Sequence, residues 1–461
     1  MRMAKRKSLF NKYRGQGIAR LFSIALLSLL VCVSMTLATL FVHNVWDRFS
    51  NANLYVVLPW FWVITLISAS FLDCFNFSGK RYYNLLYSIY ISALISNITL
   101  LALPYVAIGA QLSKKIALLN FVLELAVLPF WLTLSRKFYF RCRPPLPSVL
   151  ITDDPEGEAF MLEKVNRYSE KYRVDAITSP NDREIESIIL SHKAVILGKL
   201  GTIDKAMFLR MCASMEKPVL IRPDYTDIML STSQSEQFDD LMMISVSKFG
   251  LTGGQRVTKR ILDLCLGLAA LVPALPVILL CALLIFLQDG HSPFFMQKRL
   301  TRGGREYGVY KLRTMIPDAE KHVGPVLAEK DDPRITKIGR ILRSLRLDEL
   351  PQIFNIIKGD MSIVGPRPER QFFYDEYTKT IPEFSHRLAV KAGLTGMAQV
   401  WGRYSTDPYE KLMLDLLYIQ SYSLMLDIKL MIETVRVLFV KESSEGVDAG
   451  ENAPHPKGEK R

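Results

Sequence analysis

An adjacent acidic pair, Asp348 and Glu349, lies in the run Arg343-Ser344-Leu345-Arg346-Leu347-Asp348-Glu349-Leu350-Pro351-Gln352. Gly359-Asp360-Met361-Ser362-Ile363-Val364-Gly365-Pro366-Arg367-Pro368 follows closely. A carboxylate with a pKa of about 4 is almost fully ionised at neutral pH. Asp348 therefore needs no general base to attack phosphorus. The obstacle is repulsion between an anionic nucleophile and an anionic diphosphate, which guanidinium groups and Mg²⁺ relieve. Glu349 supplies a second hard oxygen donor for such an ion. Arg313, Arg343, Arg346 and Arg367 lie around the pair, within residues 313–367. A solvated basic face is the ordinary reading of any one arginine. Several of them around two carboxylates point to phosphoryl transfer.

Local sequence suggests how these groups are held. Asp348 stands where a helix can begin, with Pro351 tolerated in its first turn. As an N-cap it would face unpaired N–H groups and the positive end of the helix dipole, which also favours phosphate. A plain cap explains the same pattern. Pro366 and Pro368 fix φ on either side of Arg367, so the loop is stiff, as a simple turn or a phosphate clamp requires. Ala392-Gly393-Leu394-Thr395-Gly396, with Gln399 beyond it, is a glycine turn that either lines a sugar or base pocket or is only a turn.

Upstream of the pair, 294–300 and 306–315 read as a hairpin around Gly303-Gly304, with Tyr307, Val309, Lys311 and Arg313 alternating onto one face. Residues 334–345 have helical periodicity in Ile335, Ile338, Ile341, Leu342 and Leu345. Helices near 408–420 and 424–440 either lie on a membrane surface or pack on the core, and the tail 442–461 is expected to be disordered.

The rest of the chain is built for a bilayer. It has 461 residues, 49% of them hydrophobic, and a net charge of +13; mean hydropathy is +0.16. Apolar runs at 18–42, 54–75, 85–109 and 116–135 are each long enough to cross a hydrocarbon core of ~30 Å. The first is too long for a signal-peptide core and reads as an uncleaved anchor. Basic flanks at the N-terminus, at Lys80-Arg81 and at Arg136 to Arg143 put both chain ends of the bundle in the cytoplasm, with Lys114 and Lys115 on the wrong side. Positive charge beside apolar runs indicates anionic lipid and excludes nucleic acid as the partner. Glu124 inside the fourth run is either functional or a packing residue. Six cysteines without a C-x-x-C pair read as buried reduced thiols, and the histidines lack metal-ligand spacing.

From Pro144-Pro145 the chain reads as α/β. Strands are expected at 148–152, 174–179, 194–198 and 218–223, with helices near 156–170 and 203–215. The first turn, Thr152-Asp153-Asp154-Pro155-Glu156-Gly157, lacks the glycines of a dinucleotide site, which favours a structural or oligomerising module. After a linker at 250–254, the apolar stretch 261–287 holds Pro273 and Pro276 and is flanked by Lys259-Arg260 and Lys298-Arg299. Basic residues at both ends favour a re-entrant helix broken at the prolines; a kinked spanning helix is the alternative.

These motifs resemble the bacterial sugar transferase family, the monotopic polyprenyl-phosphate phosphoglycosyl transferases. The resemblance covers about 255–441. It opens at Lys259, Arg260 and Asp263 and runs through Lys311-Leu312-Arg313-Thr314-Met315, the Asp348-Glu349 run, Lys358-Gly359-Asp360-Met361-Ser362 and Gly365-Pro366-Arg367-Pro368. Gly393-Leu394-Thr395-Gly396-Met397-Ala398-Gln399-Val400 and Leu414-Asp415 complete it.

The resemblance implies that a sugar-1-phosphate passes from a UDP-sugar to undecaprenyl phosphate, with release of UMP. Asp348 is then the nucleophile, and Asp348 and Glu349 hold Mg²⁺. Lys311, Arg313, Arg343, Arg346, Gln352, Pro366, Arg367 and Gln399 are expected at the substrate, and the helix break at Pro276, with Pro273 an additional one. Leu275 and Ala392 depart from the residues usual before Pro276 and Gly393.

The implied fold is an α/β membrane protein of three parts. These are four transmembrane helices (1–143), a degenerate Rossmann-like α/β domain (144–250) and a mostly helical catalytic domain with a β-hairpin and a re-entrant helix (251–441). The implied setting is the bacterial inner membrane with the catalytic domain on the cytoplasmic side, at the start of exopolysaccharide, capsule or O-antigen synthesis. Membrane lipid, a homodimer partner and downstream glycosyltransferases are the expected partners. An inverting glycosyltransferase, which releases UDP, and a non-catalytic assembly regulator are the competing readings.

Overall fold

The computed structural model describes residues 2–42, 53–108, 114–246, 250–317, 332–402 and 406–438. The expected disordered tail lies outside these residues. The chain forms two compact units, Met1–Arg222 and Pro223–Arg461.

The first unit begins with α1 (Arg2–Val42), α2 (Asn53–Phe71), α3 (Tyr82–Ile108) and α4 (Lys114–Cys142). α4 packs on α1 and α3, and α3 packs on α2. Leu21, Leu29, Ile67, Ile98, Leu118 and Phe130 face outward, while Ser34, Ser92, Ser96, Asn97 and Asn120 are buried. This inside-out pattern suits lipid, where small and polar side chains join helices. Glu124 is buried on α4 and accepts from Asn97 Nδ2 at 2.6 Å, so it belongs to the packing. α1, α3 and α4 contain segments long and apolar enough to span a membrane, whereas the apolar part of α2, Leu58–Phe71, is shorter than the expected run 54–75.

A parallel sheet follows, built from β1 (Leu146–Ile151), β2 (Tyr172–Thr178), β3 (Ala194–Leu197) and β4 (Val219–Ile221) in the order β2-β1-β3-β4. α5 (Pro155–Asn166), α6 (Ile185–Ser191) and α7 (Thr202–Ser214) make the connections. Val149, Ile151, Val195, Leu197, Ile189, Phe208 and Cys212 form its core. The expected strands and helices fall on these elements.

The second unit opens with α8 (Tyr225–Ser231) and the hairpin β5 (Gln234–Phe238)–β6 (Leu241–Ser245). α9 (Gly253–Asp289) is begun by a Thr252–Gln255 capping box and ended by Gly290 at φ 71°. A left-handed cap of this kind costs glycine little. Pro273 and Pro276 lie inside α9, which is uninterrupted across them. One stripe of α9, formed by Ala274, Ile278, Cys281, Ala282 and Ile285, packs with Leu312, Leu342 and Ile353. Val272, Leu279, Leu280, Leu283, Phe286 and Leu287 are exposed on the same helix.

Next comes the antiparallel hairpin β7 (Phe294–Leu300)–β8 (Glu306–Leu312). Tyr307 and Val309 are buried as alternation predicts, but the strand stops before Arg313. α10 (Lys337–Ser344) corrects its expected apolar face: Leu342 is buried, while Ile341 and Leu345 are exposed. α11 (Gln352–Lys358) leads to β9 (Ser362–Val364), which pairs in parallel with β10 (Gly393–Thr395), and α12 (Gln371–Thr380) lies between them. α13 (Met397–Trp401), α14 (Pro408–Gln420) and α15 (Leu424–Leu438) close the unit. Leu412, Leu416, Ile419 and Leu430 share a core with Ile228 of α8, so the late helices are core elements. All six cysteines are unpaired; Cys74, Cys212 and Cys281 are buried as expected, but Cys32, Cys142 and Cys265 are exposed.

Candidate active site

Asp348 is not a helix cap. Arg346 adopts a left-handed conformation, φ 54°, and the chain makes a 3-10 turn over Leu347–Glu349. Pro351 then takes the N-cap position of α11. The turn drops Leu347 and Leu350 onto the α9 core, which leaves Asp348 buried at 9% exposure. The acidic pair is thus braced by apolar anchors on both sides, not by a helix end.

Three cations surround Glu349. Lys311 Nζ lies 3.3 Å from Oε1 and Arg367 3.5 Å from the same oxygen, while Arg346 is 3.7 Å from Oε2. Burial alone would raise the Glu349 carboxyl. Lys311, Arg367 and Arg346 outweigh burial and hold it down at about 2. For Asp348 burial wins, and its pKa is raised above the usual aspartate value. Lys311, Arg343 and Arg346 oppose that rise, and Glu349 adds to it. The two neighbours are therefore split by environment, one carboxyl held low and the other raised.

β8 delivers Lys311. Asn355 of α11, wholly buried, fixes that delivery: its Oδ1 accepts from Tyr310 N at 3.0 Å and its Nδ2 donates to Gly308 O at 2.7 Å. The side-chain amide takes the place of a third strand along β8. Arg343 of α10 donates from Nε to Thr314 Oγ1 at 2.9 Å and lies close enough to Asp348 to act on its charge. A Cβ on Gly339 would sit 2.1 Å from Thr314 O, so the helix can approach the strand end only at a glycine.

The Arg367 loop is held from behind. Arg387 donates to Arg367 O at 3.0 Å and to Asp415 at 2.8 Å. Gly393 N donates to Pro366 O and Gly365 N to Thr395 O. A Cβ on Gly393 would lie 2.1 Å from Gly365 N, so backbone meets backbone here. Pro366 and Arg367 line a small open hollow with Leu300, Tyr374, Val390 and Ala392.

Other expected residues sit elsewhere. Arg313 grips Asp289 at the end of α9 through two bonds of 2.6 and 2.7 Å, and donates to Ser292 O. Gln399 donates to Leu394 O, within the glycine turn. Gln352 is buried at the first position of α11. The opening motif ties α9 to its unit: Lys259 pairs with Asp427 at 2.5 Å, Arg260 donates to the carbonyls of Ile356 and Ile357, and Asp263 accepts from Ser362 Oγ and Ile363 N.

Asn355 had a sequence signal that went unused, a lone amide within the apolar run Ile353 to Ile357. Asp289, Arg387 and Asp427 had none, because their partners lie far along the chain.

Asp348 and Glu349 are the carboxylates that would hold Mg²⁺. Among the described residues no group of three or more His, Cys, Asp or Glu side chains gathers as a metal cage. Mg²⁺ is commonly bound by one or two carboxylates together with waters and substrate phosphates. Asp348 and Glu349 offer such a pair, with Glu349 ionised at any physiological pH.

Residues 254–441 match the family model described as bacterial sugar transferase. A Bacillus subtilis protein named as a putative undecaprenyl-phosphate N-acetylgalactosaminyl 1-phosphate transferase is 42% identical over 158 residues, which are 34% of this chain and 88% of that protein. The chain belongs to the bacterial sugar transferase family. A Caulobacter vibrioides member, named as a UDP-glucose:undecaprenyl-phosphate glucose-1-phosphate transferase, is 41% identical over 40% of this chain and 71% of its own length. An Aeromonas hydrophila member, named as a UDP-N-acetylgalactosamine-undecaprenyl-phosphate N-acetylgalactosaminephosphotransferase, is 38% identical over 39% of this chain, and the match spans only 43% of its length. The Asp348 turn, the Arg367 loop and the α9 anchors all fall inside the family region.

Proposed function

We propose that this protein transfers a sugar-1-phosphate from a UDP-sugar to undecaprenyl phosphate and releases UMP. The observation that carries the reading is the buried Asp348 beside a Glu349 ringed by Lys311, Arg346 and Arg367, in a chain of this family.

An Asp348 oxygen attacks the phosphorus that bears the sugar. The bond from that phosphorus to the bridging oxygen breaks, and UMP leaves with the electron pair. The result is an aspartyl phosphosugar. A phosphate oxygen of undecaprenyl phosphate then attacks the same phosphorus, which restores the Asp348 carboxylate and yields the lipid diphosphosugar. Lys311, Arg343 and Arg346 keep enough of Asp348 ionised for the first step, and Arg367 on its braced loop orients the diphosphate. Mg²⁺ held by Asp348 and Glu349 would supply charge neutralisation on the phosphates.

The same reading places the enzyme in the bacterial inner membrane with the second unit on the cytoplasmic side, where UDP-sugars are found. It assigns 1–143 to the membrane bundle, 144–250 to the α/β domain and 251–441 to catalysis. The same reading gives α9 an in-and-out placement, with any reversal confined to a bend within a continuous helix, since Pro273 and Pro276 interrupt nothing. Lys259 near one end and Asp289 at the other are both fastened to the same unit, and the helix packs on that unit between them. A helix that crossed the bilayer alone would lose one of these attachments. Downstream glycosyltransferases would then extend the lipid-linked sugar.

The test uses purified protein, Mg²⁺, undecaprenyl phosphate and a panel of UDP-sugars. UMP is the expected product, and without the lipid acceptor a phosphosugar should be trapped on Asp348 and seen by mass spectrometry. Release of UDP, or label on another residue, would reject the mechanism.

A further inference from the structure

A second cluster of charge lies at the other end of β8. The turn between β7 and β8, Arg302–Gly304 with Thr301 and Arg305, packs on residues 358–360 and 391–392. Thr301 Oγ1 donates to Asp360 O at 2.9 Å and accepts from Ala392 N at 3.3 Å. Arg305 and Lys358 share the Asp360 carboxylate at 2.9 and 3.4 Å. Arg260 lies against Gly359, where a Cβ would come within 3.2 Å of its guanidinium.

Lys391 stands among them, half-buried. Burial lowers its pKa, and the charges of Arg260, Arg302 and Arg305 lower it further, with Asp263 opposing. Asp263 is already occupied by Ser362 and Ile363 N–H. Glu306 at the start of β8 pairs with Lys298. Arg302 and Lys391 therefore have no ion-pair partner among the described residues, and the cluster carries more cations than carboxylates.

Two facts indicate what neutralises it. The Arg302–Arg305 turn is remote from the Asp348 pair, because Arg305 to Lys311 is six strand steps, about 20 Å at 3.4 Å each. It also lies where the apolar surface of α9 begins, since Val257 and Ile261, which flank Arg260, are exposed. An anion held here would stand where polar protein meets lipid. We propose that Arg302, Arg305 and Lys391, backed by Arg260, form a phosphate site for an anionic lipid headgroup, at the far end of β8 from the Asp348 pair. This rests on the reading that α9 lies in lipid, and not on the sugar-phosphate chemistry.

The experiment places the full chain in phosphatidylcholine nanodiscs doped with phosphatidylglycerol and counts retained phosphatidylglycerol by native mass spectrometry. Removing a cation near a membrane surface weakens attraction to anionic lipid roughly five-fold. The Arg302→Gln/Lys391→Gln double variant should retain at least about ten-fold less than the unmodified chain. Because Arg302 is exposed, Arg302→Glu alone provides a second variant that should fold normally and also lose lipid. Retention that persists in excess inorganic phosphate assigns the site to a lipid. Displacement by inorganic phosphate assigns it to a free phosphate and overturns the lipid part of the proposal. Equal retention by the folded variants and the unmodified chain overturns the site altogether. UMP release plays no part in this readout, so a failure here leaves the proposed activity untouched.

Discussion

At the residue scale the central fact is that two adjacent carboxylates have been given opposite environments. Glu349 is held ionised by three cations, whereas Asp348 is raised by burial. If ionised Asp348 is the nucleophile, activity must fall as pH drops through its raised pKa, at a pH above the usual aspartate range. Lys311 is the first charge opposing that rise. Lys311→Met should therefore move the acid limb of kcat/KM to higher pH; an unmoved limb would remove Lys311 from this role. Asp348→Asn should cut UMP release by about 10³-fold or more, as loss of a nucleophile does. Two of the four arginines first grouped with the pair, Arg367 and Arg313, should separate by phenotype. Arg367→Gln should raise KM for the UDP-sugar about ten-fold or more, as loss of a charge-assisted phosphate contact implies. Arg313→Gln should leave KM unchanged and lower the unfolding midpoint slightly, because it deprives a partly exposed Asp289 of its partner. Thermal unfolding together with steady-state kinetics of the two variants distinguishes these outcomes. Arg313 shows why site membership was only partly legible in sequence. Alternation along β8 put it on the same face as Lys311, but the strand ends at Leu312 and the backbone turns the side chain toward α9.

At the scale of elements, side chains that never reach the acidic pair fix its geometry. Asn355 satisfies the open edge of β8 and so sets Lys311 opposite Glu349. Asn355→Leu would leave the partly buried Tyr310 N–H and Gly308 carbonyl without partners, at a cost of about 1–3 kcal/mol. Chemical denaturation should show that loss, with kcat falling more than KM rises. The Lys259–Asp427 pair gives a sharper case. Lys259→Met alone strands a buried carboxylate and should cost about 3–5 kcal/mol, and adding Asp427→Leu should recover much of it. If the double variant is no more stable than the single one, the cost of Lys259→Met does not come from a stranded Asp427 carboxylate. Such partners were invisible in sequence because 168 residues separate them. The strands of the first unit were readable because each is a short apolar run between turn signals, and the hairpin because Gly303 and Gly304 both take positive φ. The expected cap at Asp348 failed for a local reason: Arg346 in a left-handed conformation inserts a tight turn before α11 can start.

At the scale of the molecule, the family region covers 254–441, but the core of the second unit reaches further back. Ile228 and Tyr225 of α8 pack with Leu412 and Leu416 of α14. A domain boundary near 250 is a proposal about folding, and truncation tests it. A chain starting at Pro223 should keep UMP release in detergent, while one starting at Leu251 should be less stable because it uncovers α14. Equal stability of the two would make α8 dispensable. The membrane bundle was the most legible part, since apolar length alone marks a helix that can span, although the described apolar part of α2 is shorter than its sequence run.

α9 sets a condition on how this chain can vary. It is bolted down near its start by Lys259 and at its finish by Asp289, and the stripe between them must stay aligned with the hairpin and α11. One extra residue inside that interval would swing everything after it by about 100°. Either the far bolt would come undone or the oily side would turn inward and the packed side toward the acyl chains. Gains and losses there should therefore come only in near-whole turns.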